Sequence, residues 1–146
     1  MSVFDREVPR RLLWPASARW PKRRAHSLIR SFRQLYSEII YDVEMGVLVA
    51  NAQALKLAGV RTVRLYGGLI LHRNLLSSGL AVILAHETGH HLGGSPFHPA
   101  YRWLSSEERA TEWACQEGLV QVFGKDQAKR VADEGMKNLD AIARNN

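Results

Sequence analysis

The chain has 146 residues, enough for one domain with a substantial core and little room for a second. No apolar run approaches the roughly eighteen residues of a membrane span, and a single cysteine, Cys115, rules out an internal disulfide. The net charge of +6 is unevenly placed. Residues 1–33 carry nine cations (Arg6, Arg10, Arg11, Arg19, Lys22, Arg23, Arg24, Arg30, Arg33) against Asp5 and Glu7, a net of +7, which leaves residues 34–146 at −1.

Residues 1–25 read as a basic arm ahead of a domain at 26–146. The arm lacks the apolar stretch of a secretory leader, which with the lone cysteine points to the cytoplasm, or to secretion if a leader has been removed. With Trp14 and Trp20 among its cations it suits an anionic partner such as nucleic acid, anionic lipid or an acidic protein. The competing reading is a partly ordered, solvated arm whose tryptophans and Leu12-Leu13 lie on the domain. The absence of any nucleic-acid-binding motif favours this second reading.

Residues 26–43 have the spacing of an amphipathic helix, with Leu28, Phe32, Leu35, Ile39 and Val43 on one side. Gly46 breaks it, Val47 to Ala50 reads as a short strand, and Ala54 to Leu57 as a connecting turn ended by Gly59. From Thr62 to His72 the pattern alternates. Val63, Leu65, Leu69 and Leu71 face one way, and Thr62, Arg64, Tyr66 and His72 the other, as in a half-buried strand. Gly67-Gly68 within it marks either a bulge or a place where another backbone comes close.

Leu80, Val82, Ile83, Leu84 and Ala85 then lead into His86-Glu87-Thr88-Gly89-His90, and Gly93-Gly94-Ser95-Pro96 stops the helix. Two imidazoles four residues apart share one helix face, and Glu87 stands about 100° round the helix. That spacing, H-E-x-x-H, presents two metal ligands and a general base beside an open coordination position. Gly89 costs a helix up to about 1 kcal/mol relative to Ala, which is tolerated where something must come close.

Fifteen residues after His90, Ser105-Ser106-Glu107-Glu108 reads as a helix start, with Ser105 as cap and Glu108 closing a capping box. Glu107, Ala110, Thr111 and Ala114 then share a face at i, i+3, i+4 and i+7. One carboxylate backed by small residues suits close packing on the histidine helix, so Glu107 is the preferred third ligand and Glu108 its rival. A last helix, about Lys125 to Arg144, presents Ala128, Val131, Leu139 and Ile142 to the core.

H-E-T-G-H-H-L-G-G followed by E-E-R-A-T-E-W-A resembles the gluzincin pattern, an H-E-x-x-H helix followed by a second helix E-x-x-A-[D/N]. The chain is also similar to small bacterial metallopeptidases over residues 28–118, through Asn51-Ala52, Tyr66-Gly67-Gly68-Leu69, His72, Gly79, Ile83 and the run from His86 to Pro96. More distantly it is similar to minigluzincins and to ImmA/IrrE-type proteases. The resemblance implies a zincin-like metallopeptidase domain over residues 26–146, α+β in class, with a small sheet whose edge strand precedes the zinc-binding helix. It implies one Zn2+ per chain, His86, His90 and Glu107 as ligands, and Glu87 as general base. Thr111 stands where relatives usually carry Asp or Asn to orient the first histidine, and Ala85 where secreted relatives often carry Cys.

The expected reaction is peptide hydrolysis by a zinc-activated water, with a peptide or protein substrate laid along the strand ahead of the zinc helix. Tyr66, Gly67, Gly68 and His72 are then substrate-binding candidates, and Arg64 and Arg73 hint at acidic substrate residues. His98 and Tyr101, with Tyr66, are candidate donors to the tetrahedral oxyanion. His91, rotated off the ligand face, reads as structural. The alternative function is a zinc-stabilised regulatory or nucleic-acid-binding module without peptidase activity. Glu87 argues against it, because a structural site has no use for a base beside the open position.

Overall fold

The apolar stretch before the H-E-x-x-H motif becomes the middle of a helix, Ser77–Leu92 (called α3 below), round which the other elements are arranged. This is seen in a computed structural model that describes residues 2–145. Every residue from Ser78 to His91 is buried, and each large apolar side chain among them contributes about 1.5–3 kcal/mol by leaving water. Such a helix needs neighbours on all sides.

On one flank lies α6, Lys125–Arg144, which buries Ala128, Val131, Leu139 and Ile142 as their spacing predicts. At Gly135 a Cβ would meet the Ser78 carbonyl oxygen at 2.5 Å, so the two helices cross in close contact. Another flank is closed by α4, Glu107–Trp113, which runs through a widened π-turn at Ala114–Gly118 into α5, Leu119–Phe123. α1, Trp20–Leu35, lies across the core through Ala25, Ile29 and Phe32.

The remaining side is a mixed sheet of β1 (Ser2–Glu7), β2 (Ile40–Glu44), β3 (Val49–Leu57) and β4 (Val60–Tyr66), in the order β1-β3-β4-β2. β2 runs parallel to β4, and the other pairings are antiparallel. The β3–β4 hairpin turns at Ala58 and Gly59, both at positive φ (49° and 82°). This is the combination that a tight turn needs in order to match the strands' twist. A short helix α2, Gly67–Ile70, follows β4, and a small hairpin of β5 (Phe97–His98) and β6 (Tyr101–Ser105) stands between α3 and α4. The class is α+β, as expected. Among the described residues no helix is long and apolar enough to cross a membrane.

Several boundaries differ from the sequence reading. The helix expected at 26–43 starts at Trp20, with Pro21 in its first turn where a missing N–H costs nothing. It ends at Leu35, and Ile40–Glu44 pairs with β4 as a strand. The turn expected at Ala54–Leu57 is instead paired strand, because β3 continues to the hairpin at Ala58-Gly59. The strand expected over Thr62–His72 stops at Tyr66. It is an interior strand between β3 and β2, not an edge.

Gly67 and Gly68 explain the stop. A Cβ on Gly67 would fall 2.1 Å from the Met45 carbonyl oxygen, and one on Gly68 2.4 Å from the Leu48 carbonyl carbon. Only glycine lets this helical turn sit against that backbone.

The basic arm is built into the sheet. β1 pairs with β3, Leu13 bridges His72, and Val8 and Leu13 are buried. The boundary drawn at 25/26 falls inside α1. Trp14 is half-buried beside Trp20, whose own side is 46% exposed.

Candidate metal centre

The centre is made where the end of α3 meets the start of α4. His86 and His90 lie one turn apart, with ring centroids 4.7 Å apart and planes nearly perpendicular at 88°. α4 comes close because Gly89 offers no side chain: a Cβ there would meet the Ala110 carbonyl oxygen at 2.6 Å. Ala110 and Ala114, both buried, supply the small surface expected of this face.

Glu107 is the first residue of α4, where the helix dipole favours a carboxylate. The cap before it is Ser106, whose Oγ accepts from the Arg109 amide at 3.2 Å. Ser105 is therefore not the cap, and Glu108 closes no capping box, since Arg109 occupies the third helical position. Ser105 is buried, its hydroxyl donating to the Gly94 carbonyl at 2.7 Å. Arg109 fastens the two helices, its Nε donating to the Gly93 carbonyl at 2.6 Å.

Both imidazoles are oriented from behind. His90 Nδ1 donates to the Ser105 carbonyl at 2.7 Å, and His86 Nδ1 lies 3.0 Å from Thr111 Oγ1. Both Nε2 atoms turn toward one carboxylate, His86 at 2.8 Å from Glu107 Oε2 and His90 at 3.3 Å from Oε1. A carbonyl can only accept, so His90 Nδ1 carries a proton, and its Nε2 is the atom that faces Glu107. Imidazole nitrogens and a carboxylate that face one another share a cation, either a proton or a metal ion.

The three ligand atoms lie within 4.8 Å of one another, and among the described residues this is the group able to hold a metal ion. Burial lowers the His86 pKa and so favours its neutral, ligating form. The hydrogen bonds to His86 and His90 hold the Glu107 carboxyl well below the usual carboxylate range.

A cleft of about 510 Å3 opens over the centre. Its lining includes Glu87, His90 and Glu107, β3 from Asn51 to Leu57, and His98, Tyr101, Trp103 and Leu104 from the β5–β6 hairpin. Among the described residues, β1 pairs with β3 no further along than Asn51, and the Ala52 amide donates to Asn51 Oδ1, so Gln53–Leu57 presents a free strand edge in the cleft.

The metal-binding candidates and Glu87 are brought together, and His98 and Tyr101 lie in the cleft wall. The substrate-binding candidates lie elsewhere. Gly67 and Gly68 are buried against the β2–β3 connection. His72, 1% exposed, accepts from the Asn74 amide through Nδ1. Tyr66 donates to Gln53, and it is Gln53 that lines the cleft. Arg64 is taken up by a two-pronged pair with Asp42, at 2.9 and 3.0 Å, and Arg73 by the Leu13 carbonyl.

His91 donates to the Thr62 carbonyl at 2.9 Å and stacks on Trp103, which ties α3 to the sheet and to the hairpin. Sequence reasoning read a strand at Val47 to Ala50 but missed its continuation to Leu57 along the cleft, and it missed Trp103. The free edge of β3 follows from strand order, which no local pattern announces. Trp103 does alternate with Tyr101 and Ser105 in a short strand pattern ahead of the acidic helix. No family model, curated protein or solved structure matches this chain.

Proposed function

We propose that the chain is a zinc-dependent metallopeptidase of the gluzincin type, with His86, His90 and Glu107 as ligands of one Zn2+ and Glu87 as general base. The observation that carries this reading is the convergence of two back-anchored imidazoles on one carboxylate. Both rings stand within reach of the carboxylate, His86 at 2.8 Å and His90 at 3.3 Å. A mixed nitrogen and oxygen set suits Zn2+ better than Ca2+ or Mg2+, which favour oxygen.

When bound, Zn2+ would supply Lewis-acid activation of water and of a scissile carbonyl. The remaining steps belong to the chain. An extended peptide adds as a strand to the free edge of β3, its backbone held by Gln53–Leu57. Glu87, adjacent to a ligand and lining the cleft, takes a proton from the attacking water and returns it to the departing amine. His98 or Tyr101 donates to the oxyanion as charge develops. Thr111 and Ser105 keep the two rings in the tautomer that leaves Nε2 free for the metal.

The test is a peptide-library digest with zinc-loaded protein, with chelated protein and with Glu87→Gln. The expected result is cleavage that stops on chelation, returns with zinc, and is absent in Glu87→Gln although that variant still binds zinc. Full cleavage by the glutamine variant, or none by the zinc-loaded wild type across the library, would contradict the proposal.

A further inference from the structure

The cleft makes no use of the cations of the N-terminal region, among which Arg24 donates through Nη1 to the Leu75 carbonyl just ahead of the N-terminal end of α3. There the side chains form a ladder. The Arg73 guanidinium lies 4.4 Å over the Trp14 ring, Trp14 meets Trp20 edge to face at 5.6 Å, and Arg24 lies 4.9 Å from the Trp20 ring centre. Beside Trp14 is a cavity of about 560 Å3 whose lining includes Arg10 and Arg73 and no carboxylate.

From Trp20 the charge continues along α1, whose sequence holds five cations and no acid. Arg19, Arg23, His26 and Arg30 follow its exposed face at helical spacing. Among the described residues, no salt bridge engages Arg73 or any cation between Arg6 and Arg33. Arg24 Nε and Nη2 and Trp14 Nε1 also find no hydrogen-bond acceptor there.

We propose that this surface binds single-stranded nucleic acid. Unneutralised cations along a helix face suit a phosphate backbone, and the exposed side of Trp20, backed by a guanidinium, gives an unpaired base a ring to stack on. A duplex keeps its bases stacked inside and cannot use that ring. A membrane would want apolar side chains among the charges, whereas the exposed apolar residues of α1 stand only at its two ends, Trp20 and Leu35, with Arg23, His26, Ser27, Arg30 and Gln34 exposed between them. The inference is independent of the peptidase reading.

The experiment is fluorescence anisotropy of labelled oligothymidylate and oligouridylate, a same-length duplex, and vesicles of phosphatidylserine with phosphatidylcholine, over a salt series. The single strands should bind most tightly, with affinity falling as salt rises. Trp20→Ala should weaken binding about ten-fold, the size of one lost base stack. Arg23→Glu with Arg30→Glu, which changes only exposed side chains, should weaken binding and flatten the salt slope by about 1.4. Chelating the metal should change nothing. The proposal is overturned if no single strand binds at low salt, if duplex or vesicles bind as well as the single strands, if Trp20→Ala and the double arginine variant both leave affinity unchanged, or if chelation abolishes binding.

Discussion

Replacing Gly89 by alanine adds one methyl group at the place where α3 and α4 approach each other. At an ordinary helix position the change stabilises by about 1 kcal/mol. Here the new carbon would lie 2.6 Å from the Ala110 carbonyl oxygen, 3.1 Å from Trp113 Cε3 and 3.2 Å from Ala110 Cα, where ordinary contact begins at 3.4 Å. The backbone of α4 must therefore recede by about 0.8 Å, the difference between 3.4 and 2.6. Overpacking against a buried backbone costs about 3 kcal/mol, and setting the propensity gain against it leaves about 2 kcal/mol lost. For a chain of this length that is a fall in Tm of about 4–8 °C.

The same recession carries Glu107 away from both imidazoles, so metal affinity should drop about 10- to 100-fold, as it does when a site's supporting contacts are disturbed. Urea unfolding in chelator reads the scaffold, and competition with a coloured chelator reads the centre. An alanine variant that is more stable than wild type and binds metal as tightly would refute the close approach of α4.

Three further outcomes follow from local geometry. Ala58, held at φ 49° in the β3–β4 turn, should be improved by asparagine, with a gain of about 0.5–1 kcal/mol in urea unfolding; no gain would place the turn in another conformation. Thr111→Val removes the oxygen 3.0 Å from His86 Nδ1 and should weaken metal binding about ten-fold, while Thr111→Asp should strengthen it; equal affinities in all three proteins would remove Thr111 from the centre. Tyr36 is raised to about 12 by burial and by Glu117 and Glu38, and burial raises Tyr41 as well. Their unfolded values are near 10, so the stability they contribute is complete below pH about 10 and is lost as pH rises toward about 12. Tyr36→Phe should therefore shift the alkaline unfolding midpoint upward, and an unchanged midpoint would contradict the burial argument.

The parts of the molecule legible in the sequence were those where one local rule governs. α3 announced itself by an apolar run with a glycine stop, and the two histidines by their spacing. Glu107 was legible because Ala110, Thr111 and Ala114 behind it leave room for close packing. Elements that depend on a distant partner were not legible. Ile40–Glu44 carries on the apolar spacing of α1, and only its pairing with β4 makes it a strand. Ala54–Leu57 has weak strand character and is held by β4 opposite. Gly67-Gly68 allowed a close approach, as read, but the approaching backbone is that of the chain's own β2–β3 connection. The cap moved from Ser105 to Ser106 because the Ser105 carbonyl is needed by His90, a demand that no reading of the helix start alone contains.

The central claim is that His86, His90 and Glu107 jointly hold one divalent cation, and metal content of purified protein tests it most directly. The account predicts one zinc per chain in the wild type and in Glu87→Gln, and loss of zinc on gel filtration for Glu107→Ala, with far-ultraviolet circular dichroism still showing a folded chain. A wild type that refuses zinc, or a Glu107→Ala protein that keeps it as tightly, would contradict the claim.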